Sequence, residues 1–285
     1  MSDVEKRILA GVDKMPAFPE SVHQVIKLAS NINCSQKELV EVIKKDPVFT
    51  LKILRLVNSA YFGLGREVTS INHASVYLGL NTLKNVAMGL AAVGAIPKGK
   101  MAGLDMGGFW LHSLAVASAT RMLGAMLGVS RDEAADYFAA GLLHDIGKVV
   151  FALYLPEENL AVNAKVAEGK SIYEAELEVI GKSHSDIGAM LAEKWHLPGE
   201  LGVAIARHHA TENGESSQMV DCVHAADLVS KKLAYGSAGD YVVGELPPSV
   251  RDRFDLDLDG LIAELPTLDE EVEKARVFIK LGEEN

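Results

Sequence analysis

The sequence predicts an all-α fold, and the spacing of its apolar residues is the main reason. These residues recur along most of the chain every three or four positions, which places them on one face of a helix. No run of alternating apolar and polar residues is long enough to indicate a half-buried β-strand. Apolar residues make up 48% of the chain, so we expect a substantial hydrophobic core.

Residues 1–97 are predicted to form an N-terminal helical lobe. Ser35 and Glu38 have the spacing of a capping box, which marks the start of a helix. Pro47 is unfavourable inside a helix but suits the first turn of the next one. Glycine-rich residues 61–65 separate these helices from a later pair. The predicted helices are 22–29, one that begins after Ser35, one that begins at Pro47, 72–80 and 82–93.

Residues 98–240 are predicted to form a second helical lobe. The stretch 96–103 combines proline, glycine and charged residues, and it is the predicted boundary between the two lobes. Ser130 and Glu133 form a second candidate capping box. The predicted helices of this lobe are 107–127, 131–153, 157–168, 172–194, 198–208 and 217–235.

The last segment, residues 241–285, is predicted to be an acidic helical tail. It overlaps a loop predicted at 236–244 and contains short helices, for example at 268–279. The sequence leaves open whether this tail packs as a cap, mediates a dimer contact or is a flexible appendage.

Charge and cysteine content restrict the location and the partners of the protein. The chain has 28 basic and 39 acidic residues, a formal net charge of −11, which argues against general nucleic-acid binding. Cys34 and Cys222 form neither a CxxC motif nor a disulfide framework, as expected in a reducing cytosol. The longest nearly apolar run, 86–96, is too short to span a membrane. We therefore expect a soluble cytoplasmic protein without a membrane partner.

Histidine and aspartate residues of the second lobe predict a metal site. The adjacent pair His144 and Asp145 offers an imidazole nitrogen and a carboxylate oxygen, which divalent transition metals accept together. This pair lies in the otherwise apolar segment 138–153, where an aspartate is costly unless it is paired or bound to a metal. The candidate ligands are His112, His144, Asp145, His184, His208, His209 and Asp227.

The size and chemistry of this ligand set predict two metal ions. Five histidines and two aspartates exceed what one tetrahedral zinc needs, and they suit two metals that share a carboxylate. Nitrogen and oxygen ligands without thiolate favour iron, with manganese as the alternative. Lys148 lies one helical turn after His144, where it is placed to face an anionic substrate. His224, three residues before Asp227, is expected to be a neighbour of the site.

These residues resemble the HD superfamily of metal-dependent phosphohydrolases, and the chain as a whole is similar to the HDOD proteins, the HD-related output domains of bacterial signalling. The resemblance covers about residues 10–235. It implies an all-α fold in which an N-terminal helical lobe packs on an HD-type helical core. Outside the metal site, the similar segments are 15–19, 57–63, 71–79 and 195–198.

The resemblance also implies a role for each candidate ligand. His112, His144, Asp145 and Asp227 match the ligands of a first metal. Asp145 would bridge to a second metal held by His184, His208 and His209. Lys148 matches a lysine that faces the phosphate in related dinuclear phosphodiesterases.

Two positions depart from related enzymes. No Gly-Tyr-Pro signature follows the His208-His209 pair, which argues against hydrolysis of cyclic di-nucleotides. Gly108 stands where some relatives carry an additional acidic ligand, which argues against a third metal.

The sequence leaves three functions open. In the first, the protein is a signalling module that acts through a protein partner, and residues 61–65 are either an exposed partner-binding loop or a packed turn. In the second, it is a phosphohydrolase for a phosphorylated small molecule, a phosphomonoester or a nucleotide, with Asp145 and Lys148 as catalytic residues. In the third, the same ligands hold the iron ions of a di-iron oxygenase.

Overall fold

The computed structural model describes residues 2–31, 34–97, 101–210, 216–237, 239 and 241–284. Regular secondary structure in these ranges consists of helices, and no β-strand occurs there. The predicted all-α class is therefore confirmed. No helix in the described ranges combines the length and the apolar character needed to cross a bilayer.

The N-terminal helices begin at residues that can cap them. Ser35 accepts a hydrogen bond from the backbone of Glu38 at 3.3 Å, which confirms the predicted capping box. Asp46 accepts one from the backbone of Phe49, so Pro47 starts its helix as predicted. The helices are α1 Asp3–Lys14, α2 Glu20–Ala29, α3 Gln36–Lys44, α4 Pro47–Val57 and α5 Ile71–Ala95.

The break predicted between 72–80 and 82–93 is present inside α5. Gly79 has a φ of 77° and a ψ of 169°, which no α-helical residue adopts, and α5 is kinked at this point. The first helix, α1, was not predicted, although Ser2 and Glu5 at its start form a capping box.

The central helices contain the predicted site residues. Ser130 and Glu133 form their predicted capping hydrogen bonds in the turn that precedes α7. The helices are α6 Met106–Met126, α7 Ala134–Leu143, α8 Gly147–Tyr154, α9 Pro156–Ala167, α10 Ile172–Val179, α11 His184–Lys194, α12 Gly199–Arg207 and α13 Gln218–Lys232.

The prediction of one helix over 131–153 is wrong, because a turn at residues 144–146 separates α7 from α8. A Cβ atom on Gly147 would lie 2.0 Å from the carbonyl oxygen of His184, so α8 starts in direct backbone contact with α11. This tertiary contact redirects the segment 138–153, which is apolar apart from His144, Asp145 and Lys148, and apolar periodicity alone does not reveal it.

The prediction of one helix over 172–194 is also wrong, because the chain leaves the helical path between α10 and α11. Gly181 has a φ of +79°, which favours glycine and ends a helix. Ser183 then accepts a hydrogen bond from the backbone of Asp186 at 3.2 Å and starts α11. Both signals are visible in the sequence and locate the break.

The tail packs against the other helices. Its helices are α14 Pro248–Phe254, α15 Leu258–Ala263 and α16 Leu268–Glu283. Helix α16 contacts α4, α5 and α6, and its residues Phe278 and Leu281 are almost completely buried. Of the three possibilities for this segment, the structure therefore shows the packed cap.

Two predicted features fall partly on residues that the structure does not describe. The boundary between the lobes includes residues 98–100, which lie outside the described residues, and the division at 97/98 stays a prediction. Residues 238 and 240 of the predicted loop 236–244 also lie outside them, whereas its described residues are not helical.

Candidate metal centre

Side chains from five parts of the central helices meet at one place. Helices α6 and α7 pack closely, which helps to bring these side chains together. The contact leaves no room for a side chain at Gly141, where a Cβ atom would lie 2.6 Å from the Cα of Ala117. The seven candidate ligands lie as follows: His112 is in α6, His144 and Asp145 are in the turn between α7 and α8, His184 begins α11, His208 and His209 follow α12, and Asp227 is in α13.

Three candidate ligands form a first group. His112, His144 and Asp227 each offer one ligand atom, and these atoms all lie within 4.8 Å of one another. The Oδ1 of Asp227 is 3.2 Å from the Nε2 of His112 and 3.9 Å from the Nε2 of His144. All three side chains are buried.

The remaining four candidate ligands form a second group. The ligand atoms of Asp145, His184, His208 and His209 also lie within 4.8 Å of one another. The Nε2 of His184 is 3.2 Å from that of His208 and 3.0 Å from that of His209. Three imidazole nitrogens therefore point at one small volume.

Asp145 faces both groups. Its Oδ2 lies 3.3 Å from the Nε2 of His144 and 3.7 Å from the Nε2 of His112. Its Oδ1 lies 3.1 Å from the Nε2 of His184 and 3.7 Å from the Nε2 of His208. One carboxylate thus presents a different oxygen to each group, which is the geometry of a bridging ligand.

Backbone carbonyl groups orient two of the imidazole rings. The Nδ1 of His144 lies 2.8 Å from the carbonyl oxygen of Gly141, and that of His208 lies 2.8 Å from the carbonyl oxygen of Ile205. Because a carbonyl only accepts, Nδ1 must be the protonated nitrogen in each ring. The Nε2 lone pair is then free to face the centre.

Side chains that were not predicted orient two further rings. Glu176 accepts from the Nδ1 of His184 at 2.6 Å and also from its backbone N–H at 2.7 Å. Ser230 lies 3.0 Å from the Nδ1 of His112. Burial lowers the pKa of His184, but the carboxylates of Glu176 and Asp145 together outweigh this and raise it. A more basic imidazole is a stronger ligand for a metal.

Two lysines compensate the buried aspartates. Lys148 donates to the Oδ2 of Asp145 at 2.7 Å, and Lys231 lies 2.7 Å from the Oδ2 of Asp227. Burial opposes ionisation of Asp145, but His144 and Lys148 hold the pKa of its carboxyl well below its usual range. Lys231 was not predicted, although it stands four residues after Asp227 on the same face of α13.

Burial keeps two histidines of the second group, His208 and His209, neutral. It is the main reason why the pKa values of His208 and His209 lie well below their usual range, and the neighbouring imidazoles lower them further. Neutral imidazole is the form that binds a metal.

The Nδ1 of His224 lies 2.6 Å from the carbonyl oxygen of His208, so His224 is a neighbour of the site, as predicted.

Several buried polar atoms at this centre lack a hydrogen bond with any residue that the structure describes. They are the Nε2 atoms of His112 and His144 and the Oδ1 atoms of Asp145 and Asp227. Buried polar atoms of a folded protein are normally satisfied, and a metal ion satisfies acceptors of this kind. The residues therefore fit two divalent ions, one for each group. Their metal ligation itself stays a prediction.

A family model described as HDOD domain matches residues 15–211. Among solved structures, an HDOD domain protein of unknown function from Geobacter sulfurreducens is 29% identical, with a TM-score of 0.77 over 96% of this chain and 98% of that one. A protein from Shewanella amazonensis, provisionally named a phosphohydrolase, is 25% identical, with a TM-score of 0.70 over 97% of each chain.

Curated proteins give shorter matches. An uncharacterised protein of Treponema pallidum is 29% identical over 249 residues, which are 85% of this chain and 46% of that protein. A ribonuclease Y of Thermus thermophilus is 36% identical over 119 residues, which are 42% of this chain and 16% of that protein. The chain thus spans less than half the length of these relatives.

Proposed function

The chain belongs to the HDOD domain family, and we propose that it is a signalling module whose helical core is held together by a dinuclear metal centre. The position of Asp145 carries this proposal, since its two oxygens face two separate groups of imidazole and carboxylate ligands. The signalling role is supported by the family, and the metal centre is supported by the geometry.

A stabilising role for the metals is supported by the burial of the site. Six of the seven ligands are buried, and only His209 is partly accessible. The ligands come from α6, the α7–α8 turn, α11, the end of α12 and α13, so bound metals would connect all of these elements. Without metal, each unsatisfied polar atom costs on the order of 1–3 kcal/mol.

A protein partner is proposed to bind the N-terminal helices. Val48 and Leu51 lie on one face of α4, and each is 61% exposed. Residues 61–65 are a less suitable surface, because the Tyr61 ring packs 5.3 Å from the Phe138 ring and 5.0 Å from the Phe278 ring. The packed turn, one of the two interpretations of that segment, therefore describes it better.

The metal content of anaerobically purified protein tests this proposal. We expect about two ions per chain, iron in preference to manganese, and no turnover of phosphomonoesters or nucleotides. Removal of the metals by a chelator should lower the melting temperature. A protein that is purified without metal, and whose stability does not respond to added iron or manganese, would contradict the proposal.

A second candidate, a metal-dependent phosphohydrolase, is favoured by Lys148. When bound, two metals activate water for attack on phosphorus. In this chain Asp145 would hold both ions, and Lys148 would turn from the Oδ2 of Asp145 to the negative charge of the phosphate. The provisional name of the Shewanella relative is compatible with this candidate.

Turnover decides between the two candidates. The phosphohydrolase would be established if the wild type hydrolysed a phosphomonoester or nucleotide and Asp145→Ala did not. Lys148→Ala should then hydrolyse it more slowly while keeping its metal. Turnover that survives Asp145→Ala would come from a contaminant or from another site, and it would exclude the dinuclear mechanism.

A further inference from the structure

A cavity lies away from the metal centre, and none of the seven candidate ligands lines it. Its volume is about 350 Å³, within the range of small-molecule sites. It lies between the turn that follows α4, helix α5, the central helices α6 and α7, and α16. Asn85, Phe138 and Phe278 are buried at its floor, whereas Tyr77 and Arg131 are exposed at its rim.

Aromatic rings form much of its wall. The Tyr61 ring lies 4.9 Å from the Phe62 ring and is close to the rings of Phe138 and Phe278. Tyr61 and Phe62 are only partly buried, so part of their surface is available to a ligand. Such a wall favours a planar aromatic ring, which can stack on it.

Asn85 supplies an unused hydrogen-bond acceptor at the floor. Its side chain is 5% exposed, and its Nδ2 donates to the carbonyl oxygen of Asn81 at 3.0 Å and to the Oδ1 of Asp136 at 2.9 Å. Its own Oδ1 accepts no hydrogen bond from any residue in the described ranges. An N–H group on the bound ring would satisfy this buried atom.

Arg131 supplies a positive charge at the rim. The other arginine of the cavity, Arg121, is paired with Glu271, and its guanidinium lies 5.3 Å from the centroid of the Tyr61 ring. Arg131 forms no ion pair with a residue that the structure describes. Because Asp132 also lines the cavity, an anion would bind at the Arg131 side of the rim.

We propose that this cavity binds a nucleoside monophosphate. The Tyr61 and Phe62 rings stand at 88° to each other, so the base stacks on one ring and meets the other with its edge. It donates an amino hydrogen to the Oδ1 of Asn85, and the phosphate pairs with Arg131. The cavity is lined by the N-terminal helices, the central helices and the tail, so a bound nucleotide connects all three. This regulatory site is separate from the proposed metal centre and does not depend on it.

Calorimetric titration of the full chain with AMP tests the site. Adenosine, which lacks the phosphate, and ribose 5-phosphate, which lacks the base, are titrated in parallel. We expect AMP to bind, adenosine to bind more weakly, and ribose 5-phosphate not to bind. Arg131→Gln should weaken AMP binding about tenfold and leave adenosine binding unchanged. Arg251→Gln replaces another exposed arginine, away from the cavity, and should have no effect.

A filling variant supplies an independent test. Ala135→Leu should occupy the cavity, abolish AMP binding and leave the metal content and the melting temperature at least at their wild-type values. The proposal would be overturned if AMP did not bind the wild type. It would also be overturned if AMP bound Arg131→Gln and Ala135→Leu as tightly as the wild type. Loss of AMP binding in Asp145→Ala with retention in Ala135→Leu would overturn it too, because the nucleotide would then occupy the metal centre. A protein without metal that still binds AMP at this cavity would contradict only the proposed function.

Discussion

The Nζ of Lys148 lies 2.7 Å from the Oδ2 of Asp145, and neither side chain is more than 4% exposed. The same oxygen faces the first group of histidines, so the lysine and a metal would compete for it. Lys148 therefore compensates the charge of Asp145 when no metal is bound. The contribution of Lys148 to the stability of the protein therefore depends on whether metal is bound.

Lys148→Met should destabilise the metal-free protein much more than the metal-loaded protein. Removing one partner of a buried ion pair leaves an uncompensated charge and costs roughly 3–5 kcal/mol. Bound metal would compensate Asp145 in the variant as well. Chemical denaturation with and without metal measures the difference. An equal loss in both states would show that Lys148 acts only through packing.

Asp145→Ala should release the metals of both groups, because this residue faces each of them. Elemental analysis should show well under one ion per chain. Asp252→Ala removes an exposed carboxylate from α14 and serves as the control. If Asp145→Ala kept one ion and lost the other, the two groups would bind metal independently and Asp145 would not be a bridge.

Glu176→Gln should weaken metal binding about 10- to 100-fold, since Glu176 orients His184 and increases its basicity. The amide keeps the size of the side chain, so the fold should persist. Competition with a chelator measures the affinity, and Glu168→Gln, on the exposed surface, should not change it. An unchanged affinity in Glu176→Gln would mean that this carboxylate is not needed to position His184.

The candidate ligands can be recognised in the sequence, whereas Glu176 cannot, and this contrast shows which parts of the site the sequence predicts. His144 and Asp145 are conspicuous in an apolar segment, and the capping boxes at Ser35 and Ser130 are local patterns. Glu176 reaches His184 only because the chain turns between α10 and α11, where the sequence predicts one continuous helix over 172–194. Contacts of this kind depend on tertiary packing, which residue type and spacing do not specify.

The same reason explains the other misses. Ser230 contacts His112 across 118 positions of the chain, and nothing in either local sequence indicates the pair. The break at residues 144–146 depends on the close approach of α8 to α11. By contrast, the turn at Gly181 and Ser183 has local signals, so a stricter use of capping patterns predicts it.

Glu271→Gln should remove a stabilising contribution that depends on pH. Burial raises the pKa of Glu271, but Lys274 and Arg121 outweigh this and lower it below its usual value of 4.5. A carboxylate whose pKa is depressed in the folded state stabilises the protein fully when the pH is above the pKa of that carboxyl in the unfolded chain. This stabilisation is lost as the pH falls through the folded value. The wild type should therefore be more stable than the variant at pH 7 by at most about 1 kcal/mol, since solvent screens the pair.

The difference between wild type and Glu271→Gln should shrink below pH 4.5 and disappear once Glu271 is protonated in the folded state. Denaturation of both proteins from pH 7 to pH 3 measures it. Glu271 pairs with Arg121 of α6 and with Lys274 of its own helix, so only the part of the contribution that comes from Arg121 reports the docking of the tail on the central helices. Glu273→Gln is the matched control, because Glu273 lies in the same helix and, among the residues that the structure describes, pairs only with Arg276 of that helix. A difference that stayed constant over this pH range, or one equally large in Glu273→Gln, would show that the Arg121 pair does not hold the tail in place.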